Sequence, residues 1–373
     1  MKLTNNLVII GTSHHNTYSM IRCFGENGVN PDIILCGNRD SYILRSRYIN
    51  NHYTATDAQE ALNILRDNYE NAVVIACADD IASQMDRDYD NLRRHYEFFN
   101  CGRNGRLTAF MNKSKQIDIA KQTGLKVPVT LEATSTDILL QKIPYPCIIR
   151  PIESIHGGKN IQICYTEGDL TKALKAFDNK VKLLVQEFVI KDYEIVLVGL
   201  SIANEIILPA YIHKIRDTKG GTTYSLVKPT TDIPKSVLDS CVELVRRIGY
   251  NGLFGIEIMC KGDDFYFVEI NLRNDATTYA VSVAGCNLPL AYWKKCQGKN
   301  INDIVSSPIR HISSIVEFND FVFVLKREVG LKKWMREYRA SDCKYFYSPN
   351  DPIPYKIKKR EFITFLRKRI FRF

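Results

Sequence analysis

The segment FGIEIMCKGDDFYFVEINLR (254–273) constrains this chain more than any other. Two β-rich runs flank Gly262-Asp263-Asp264, which reads as a hairpin turn. With the turn centred on Asp263, Glu257 on the first strand lies opposite Glu269 on the second. Facing carboxylates on neighbouring strands repel each other. The residues around them (Ile256, Ile258, Phe267, Val268, Ile270) are apolar on both faces of the hairpin. Asn271, two residues beyond Glu269, points to the same side, because side chains alternate along a strand. Two carboxylates and an amide oxygen are a hard donor set suited to Mg2+, with water and phosphate oxygens completing the sphere. The plain alternative is an amphipathic hairpin with solvated acids, and the apolar flanks argue against it.

Upstream, LVIIG (7–11), DIILCG (32–37) and AVVIACADD (72–80) read as buried strands, with helical patterning in HNTYSMIRCFGENG (15–28), stopping near Gly25 or Gly28, and over 57–70. Alternating strand and helix predicts a parallel α/β layer over residues 1–105. A dinucleotide fingerprint is absent, since Thr12 and Ser13 follow Gly11, and no G-x-x-x-x-G-K-[ST] occurs. His14 and His15 follow the first strand, where ligands meet α/β sheets; a satisfied structural histidine is the competing reading.

Beyond residue 106 the texture changes. A helix over 108–123 ends at Gly124, and KVPVT and YPCIIRP follow as extended pieces. The polar loop SIHGGKN lies between IIRP and IQICY, so it joins strand to strand as a flap does. EGDLTKALKAF reads as a helix, KLLVQEFV as a buried strand, 193–212 as strands and 236–249 as a helix. The regions expected are 1–105, 106–186, 187–305 and 306–373.

The net charge of +10 belongs to one segment. Residues 326–373 hold 15 Lys or Arg and five acids, while the other 325 residues balance 36 bases against 36 acids. Overall basicity therefore says nothing about nucleic acid, and no sequence-reading motif is present. Eleven scattered cysteines without a C-x-x-C pair read as small buried hydrophobes in a reducing compartment. No apolar run approaches the ~20 residues of a membrane span, and the start lacks a signal-peptide pattern, so a cytoplasmic protein is expected.

In order and spacing these segments resemble the ATP-grasp superfamily, and within it the carboxylate–amine ligases of the D-aspartate-ligase-like and carbamoyl-phosphate-synthase-large-subunit-like group. The resemblance spans about residues 7–290. It is carried by GTSHHNTYSMIRCFGENGV at the start and by FVEINLR (267–273) followed by AGCNLP (284–289). It implies an α/β fold with a parallel α/β domain before a two-lobed ATP-grasp domain, the nucleotide lying between the lobes. Lys113 and, on the strand before the loop, Arg150 would reach the nucleotide phosphates; the family usually has lysine where Arg150 stands. Gly157, Gly158 and Lys159 would close over the β- and γ-phosphates. Gln186, Glu187, Phe188 and Val189 would hold adenine, and Glu194 the ribose. Glu257, Glu269 and Asn271 would bind Mg2+ (two ions, or Mn2+), and Arg273, Lys214 and Arg216 would serve the transferring phosphate or substrate.

The implied activity is ATP-dependent amide formation through an acyl phosphate. Its partners would be a small-molecule carboxylate, such as D-aspartate, and an amine acceptor, such as a cell-wall or surface-polysaccharide precursor. The alternative is an ATP-binding regulatory or scaffolding protein of the same fold. For the tail, residues 321–338 read as one amphipathic helix with a basic face, and 362–373 as a second aromatic and basic stretch. Peripheral contact with the inner face of a membrane, docking on the body, and docking of a phosphate-bearing substrate all stay open, as does a homodimer.

Overall fold

Buried strands with no polar face need cover on both sides, and three stretches of the N-terminal third are of this kind. In the computed structural model, which describes residues 7–134, 144–151, 162–177, 181–218 and 220–370, they are β1 (Leu7–Thr12), β2 (Asp32–Cys36) and β4 (Ala72–Ala76). With β3 (His52–Ala55) and β5 (Tyr96–Phe98) they form a parallel sheet in the order β3-β2-β1-β4-β5. The chain winds from β1 to one edge and resumes on the other side of β1 at β4. A crevice therefore opens at the carboxyl ends of β1 and β4. The helix His15–Gly25 begins there, and the His14 side chain caps it by accepting from the Asn16 N–H.

A small antiparallel sheet follows, built from β6 (Thr130–Ala133), β7 (Cys147–Pro151), β8 (Gln162–Cys164) and β9 (Leu183–Glu187) in the order β6-β9-β7-β8. Its core is separate and includes Ile149, Leu183 and Val185. The third sheet holds β10 (Tyr193–Ile202), β11 (Glu205–Thr218), β12 (Gly221–Pro229), β13 (Gly252–Lys261), β14 (Asp264–Asn271), β15 (Ile312–Ile315) and β16 (Cys343–Lys344). The order is β14-β13-β10-β11-β12-β15-β16, so residues beyond 306 extend the sheet that contains the acidic hairpin.

The hairpin reaches the expected pairing by a different route. Lys261 pairs with Asp264, so the loop is Gly262-Asp263, with Gly262 at φ +55°. Val268 is then an extra residue between the pairs Ile258–Phe267 and Glu257–Glu269. The two departures cancel, and Glu257 does face Glu269.

β14 is an edge strand, yet its Ile270 backbone is not left to water. Gln116, on the helix Lys113–Gln122, accepts from the Ile270 N–H at 3.0 Å and donates to the Ile270 carbonyl at 3.0 Å. The buried amide acts as one residue of an additional strand and ties that helix to the hairpin.

The single helix expected over 321–338 is broken. Helices Val322–Leu325 and Leu331–Ala340 are separated by a turn with Arg327 at φ +62°. The final helix, Pro352–Ile370, docks through its first half. Asp351 accepts from Tyr18 Oη (3.1 Å), Ser46 Oγ (2.5 Å) and the Arg47 N–H (3.1 Å), and Phe318 packs on Tyr355 and Phe362. Phe365 further along is exposed. Among the described residues no helix is long and apolar enough to cross a membrane. The cysteines are unpaired, and all but Cys296 are buried, as expected.

Gln116→Leu leaves the Ile270 N–H and carbonyl buried without partners. A loss of roughly 1–3 kcal/mol in urea unfolding is expected; an unchanged midpoint would show that the strand edge does not need this clamp.

Candidate active site

The crevice of the parallel sheet faces the acidic hairpin across a cleft of about 510 Å3. One side is formed by Thr12 at the end of β1, His14, His15 and Asn16 after it, and Cys77, Ala78 and Asp79 after β4. The other carries Lys214, Glu257, Glu269, Asn271 and Arg273, with Tyr345 from the C-terminal segment also in the wall.

The opposed glutamates are not left to repel each other. Lys214 Nζ, on β11, is 2.8 Å from Glu257 Oε2 and also pairs with Glu194 on β10. Lys113 Nζ, in the first turn of its helix, is 2.7 Å from Glu269 Oε2. Burial pushes the Glu257 carboxyl up to about 7; Lys214 opposes this and the Glu269 charge adds to it. Burial also works to raise Glu269, but Lys113, Arg150 and Lys214 outweigh it and hold that carboxyl below its usual value. Lys214, held by two carboxylates against its own desolvation, has its pKa raised.

This donor set fits a hard divalent cation. Two opposed carboxylates and the Asn271 amide oxygen share one face, and among the described residues no group of three His, Cys, Asp or Glu competes as a metal cluster. Such a set supplies few protein ligands and leaves positions for phosphate oxygens, as Mg2+ prefers. Gly255, opposite Asn271, keeps this corner open, since a Cβ there would lie 3.1 Å from the Asp275 side chain.

Arg273 spans the cleft. Its Nε donates to Asp79 Oδ1 at 2.7 Å, and Nη1 donates to the Asn274 carbonyl at 3.0 Å. Two residues absent from the sequence reading reinforce that bridge. Asn16 Nδ2 donates to the carbonyls of Cys77 (3.1 Å) and Asn274 (3.2 Å), while Asn274 Nδ2 donates to Asn16 Oδ1. The position of Asn16 just after the histidine pair was the only sequence signal for it. For Tyr345, in a segment read by its charge alone, there was none.

Arg216 departs from expectation. It shares parity with Lys214, and an unbroken strand would turn both to one face. The β11–β12 register instead pairs Lys214 with Ser225 and Arg216 with the adjacent Tyr224, so Ile215 is an extra residue and Arg216 turns to the opposite face. There it makes a two-pronged bond to buried Asp320 (2.9 and 2.7 Å) and an ion pair with Glu337 (2.9 Å). Thr223 Oγ1 and Trp334 Nε1 also donate to Asp320. Arg216 therefore anchors the C-terminal segment and does not line the cleft.

The other expected residues are distributed as follows. Arg150, on β7, is close enough to Glu269 to act on its charge. Glu194 is taken by Lys191 and Lys214. Gln186, next to the end of β9, donates to Thr130 Oγ1 at 2.9 Å; Glu187, which ends that strand, accepts from the Val129 N–H at 3.2 Å; the Phe188 N–H donates to the Pro146 carbonyl; and Val189 is buried. Gly157, Gly158 and Lys159 lie outside the described residues.

Residues 118–289 match a family described as the ATP-grasp domain. The chain is 31% identical over 145 residues to a formate-dependent phosphoribosylglycinamide formyltransferase of Wolinella succinogenes, covering 36% of this chain and 35% of that protein. It is 26% identical over 204 residues to the carbamoyl phosphate synthase large chain of Clostridium acetobutylicum, covering 52% of this chain and 19% of that one. The chain thus spans less than half the length of these curated relatives. Among solved structures, N5-carboxyaminoimidazole synthetase from Staphylococcus aureus superposes with a TM-score of 0.69 at 14% identity, over 88% of this chain and 86% of that one. An L-amino acid ligase from Bacillus licheniformis does so with a TM-score of 0.60 at 14% identity, over 83% and 80%. At these identities the likeness shows the fold.

Two outcomes are expected. Arg216→Met strips a buried carboxylate of its partner and should cost about 3–5 kcal/mol in stability while MgATP affinity stays near wild type; a selective loss of MgATP binding would return Arg216 to the cleft. Because the folded-state pKa of Glu257 is raised, its contribution to stability is present at low pH and is lost as pH rises from the usual carboxylate value to about 7. A Mg2+ ion bound by both carboxylates would have to displace that proton. The Mg2+-induced rise in Tm should therefore be larger near about pH 8 than near about pH 6 and be absent in Glu269→Gln; equal shifts at both pH values would contradict the assignment.

Proposed function

The chain carries an ATP-grasp domain, and from that premise we propose that the protein is an ATP-dependent carboxylate–amine ligase. The observation that carries this reading is the meeting of two opposed carboxylates and the cations Lys113, Arg150, Lys214 and Arg273 at the crevice of a parallel sheet. Phosphoryl transfer asks a protein mainly for positioning and for charge neutralisation. Cations grouped around acids, at a site where small molecules bind, supply both.

In this mechanism the substrate carboxylate attacks the γ-phosphorus of ATP, and ADP leaves. The amine then attacks the acyl carbon. The C–N bond forms, the C–O bond to phosphate breaks, inorganic phosphate departs and the amine nitrogen gives up a proton. Glu257, Glu269 and Asn271 would hold Mg2+, which would supply charge neutralisation for the phosphates. Lys113 and Lys214, which now hold those carboxylates, are then free to turn to phosphate oxygens. Arg150 and Lys159 take up charge on the transferring group, and Gly157 and Gly158 let backbone N–H groups approach it. Residues 186–189 receive adenine, and Glu194 receives the ribose. Arg273, tied to Asp79, orients the acyl phosphate at the mouth of the crevice.

The acid is a small carboxylate, with D-aspartate among the first to try and a surface-polymer precursor among the acceptors. Trapping with hydroxylamine tests the reading: protein, MgATP and hydroxylamine are incubated with a panel of carboxylates that includes both enantiomers of aspartate and glutamate. One acid should give a hydroxamate together with ADP and phosphate, and Glu269→Ala should reduce this by at least about a hundredfold. Tight MgATP binding with no hydroxamate from any acid would favour a regulatory or scaffolding protein of the same fold.

A further inference from the structure

The two walls of the cleft differ in where the cations stand. Lys113 and Lys214 stand with the hairpin, whereas the wall at the ends of β1 and β4 presents His14, His15, Asn16 and Asp79. On that second wall the hydrogen-bonding groups are mostly engaged. Both ends of the Asn16 amide are bonded, His14 Nδ1 accepts from the Asn16 N–H at 3.2 Å, and Asp79 accepts from Arg273.

His15 is different. Its side chain is only 4% exposed, it lines the cleft, and among the described residues it has no hydrogen-bond partner. Ring packing holds it in place: the edge-on Tyr345 ring is at 5.6 Å, Phe346 at 6.2 Å and His14 at 4.0 Å. Burial, assisted by His14 and Lys358, keeps the imidazole well below its ordinary pKa. A neutral ring keeps one nitrogen as an open acceptor. A ring held by packing at the cleft wall, with no hydrogen-bond partner for its nitrogens, is suited to a ligand that supplies one.

The charge division says which ligand. A carboxylate awaiting phosphorylation is drawn to the lysine wall. The wall with an open neutral acceptor and no lysine or arginine among its lining residues suits a group that brings N–H donors. We propose that His15 selects and orients the amine acceptor, its free ring nitrogen accepting a hydrogen bond from the amine N–H while the amine lone pair faces the acyl carbon. The inference rests on the ligase reading above. The C-terminal segment then has a function in the site: β16 delivers Tyr345 and Phe346, which fix the ring that reads the acceptor.

Hydroxylamine serves as the amine probe, at saturating MgATP and a carboxylate that the trapping panel identifies. In the wild type hydroxamate formation should saturate with hydroxylamine. His15→Leu should raise the half-saturating concentration by about tenfold, the size of one hydrogen bond. His15→Asn or His15→Gln, which restore an acceptor atom near either ring nitrogen, should return it to within about threefold. The MgATP dissociation constant, unchanged in all three, reports that they fold. Wild-type values in the Leu variant would overturn the proposal. So would equal impairment in all three, which marks a structural role, or a rate that never saturates in the wild type. No hydroxamate from the wild type with any acid would instead overturn the ligase reading, and this inference with it.

Discussion

Two carboxylates meet head-on where β13 and β14 pair, and the rest of the cleft is arranged around that repulsion. Left alone it would work against the hairpin that creates it. Burial sharpens the conflict, which is why Glu257 holds its proton to about 7. The structure answers with ammonium groups from two separate elements, Lys113 from a helix start and Lys214 from β11. Each lysine compensates a charge that a metal ion compensates better, because a divalent ion accepts both carboxylates at once. Under the proposed function, a site in which cations hold the place of a metal would exchange partners when MgATP arrives, and the released lysines would turn to phosphate oxygens.

That arrangement needs three sheets held in register. Gln116 fastens the Lys113 helix to the open edge of β14, so the lysine cannot drift from Glu269. Asn16 and Asn274 join the crevice of the parallel sheet to the chain leaving the hairpin, and Arg273 with Asp79 adds a charged link beside them. The basic tail belongs to the same construction. Arg216 buries its charge on Asp320, Asp351 gathers three donors from the first sheet's side, and between these anchors Tyr345 reaches the cleft. Its positive charge, conspicuous in composition, is in part a means of packing: Lys358 lies over the Tyr42 ring and Lys344 over Tyr338.

Two outcomes of the sequence reading turn on the same rule. Alternation along a strand is a rule of parity, and a single extra residue inverts it. At Ile215 the inversion removed Arg216 from the cleft. At Val268 it compensated for a turn one position from where it was expected, and so the predicted glutamate pair came out right. Likewise the amphipathic pattern over 321–338 is real, but a turn at Arg327 divides it into two short helices that serve different contacts. Bulges and turns of this kind depend on what the neighbouring strand demands, which no local pattern records.

The parallel α/β start and the acidic hairpin with its opposed glutamates were legible in the sequence by itself. These follow from burial and periodicity, which act along the chain. Tertiary structure alone decided which cation faces the glutamates and which is buried for anchorage, that Gln116 stands in for a missing strand, and that an aromatic pair more than 300 residues away in sequence holds His15 in the cleft. Those outcomes depend on register and on contacts between distant segments. Their free energies are realised only once the sheets have packed, so they have no signature in any short stretch of residues.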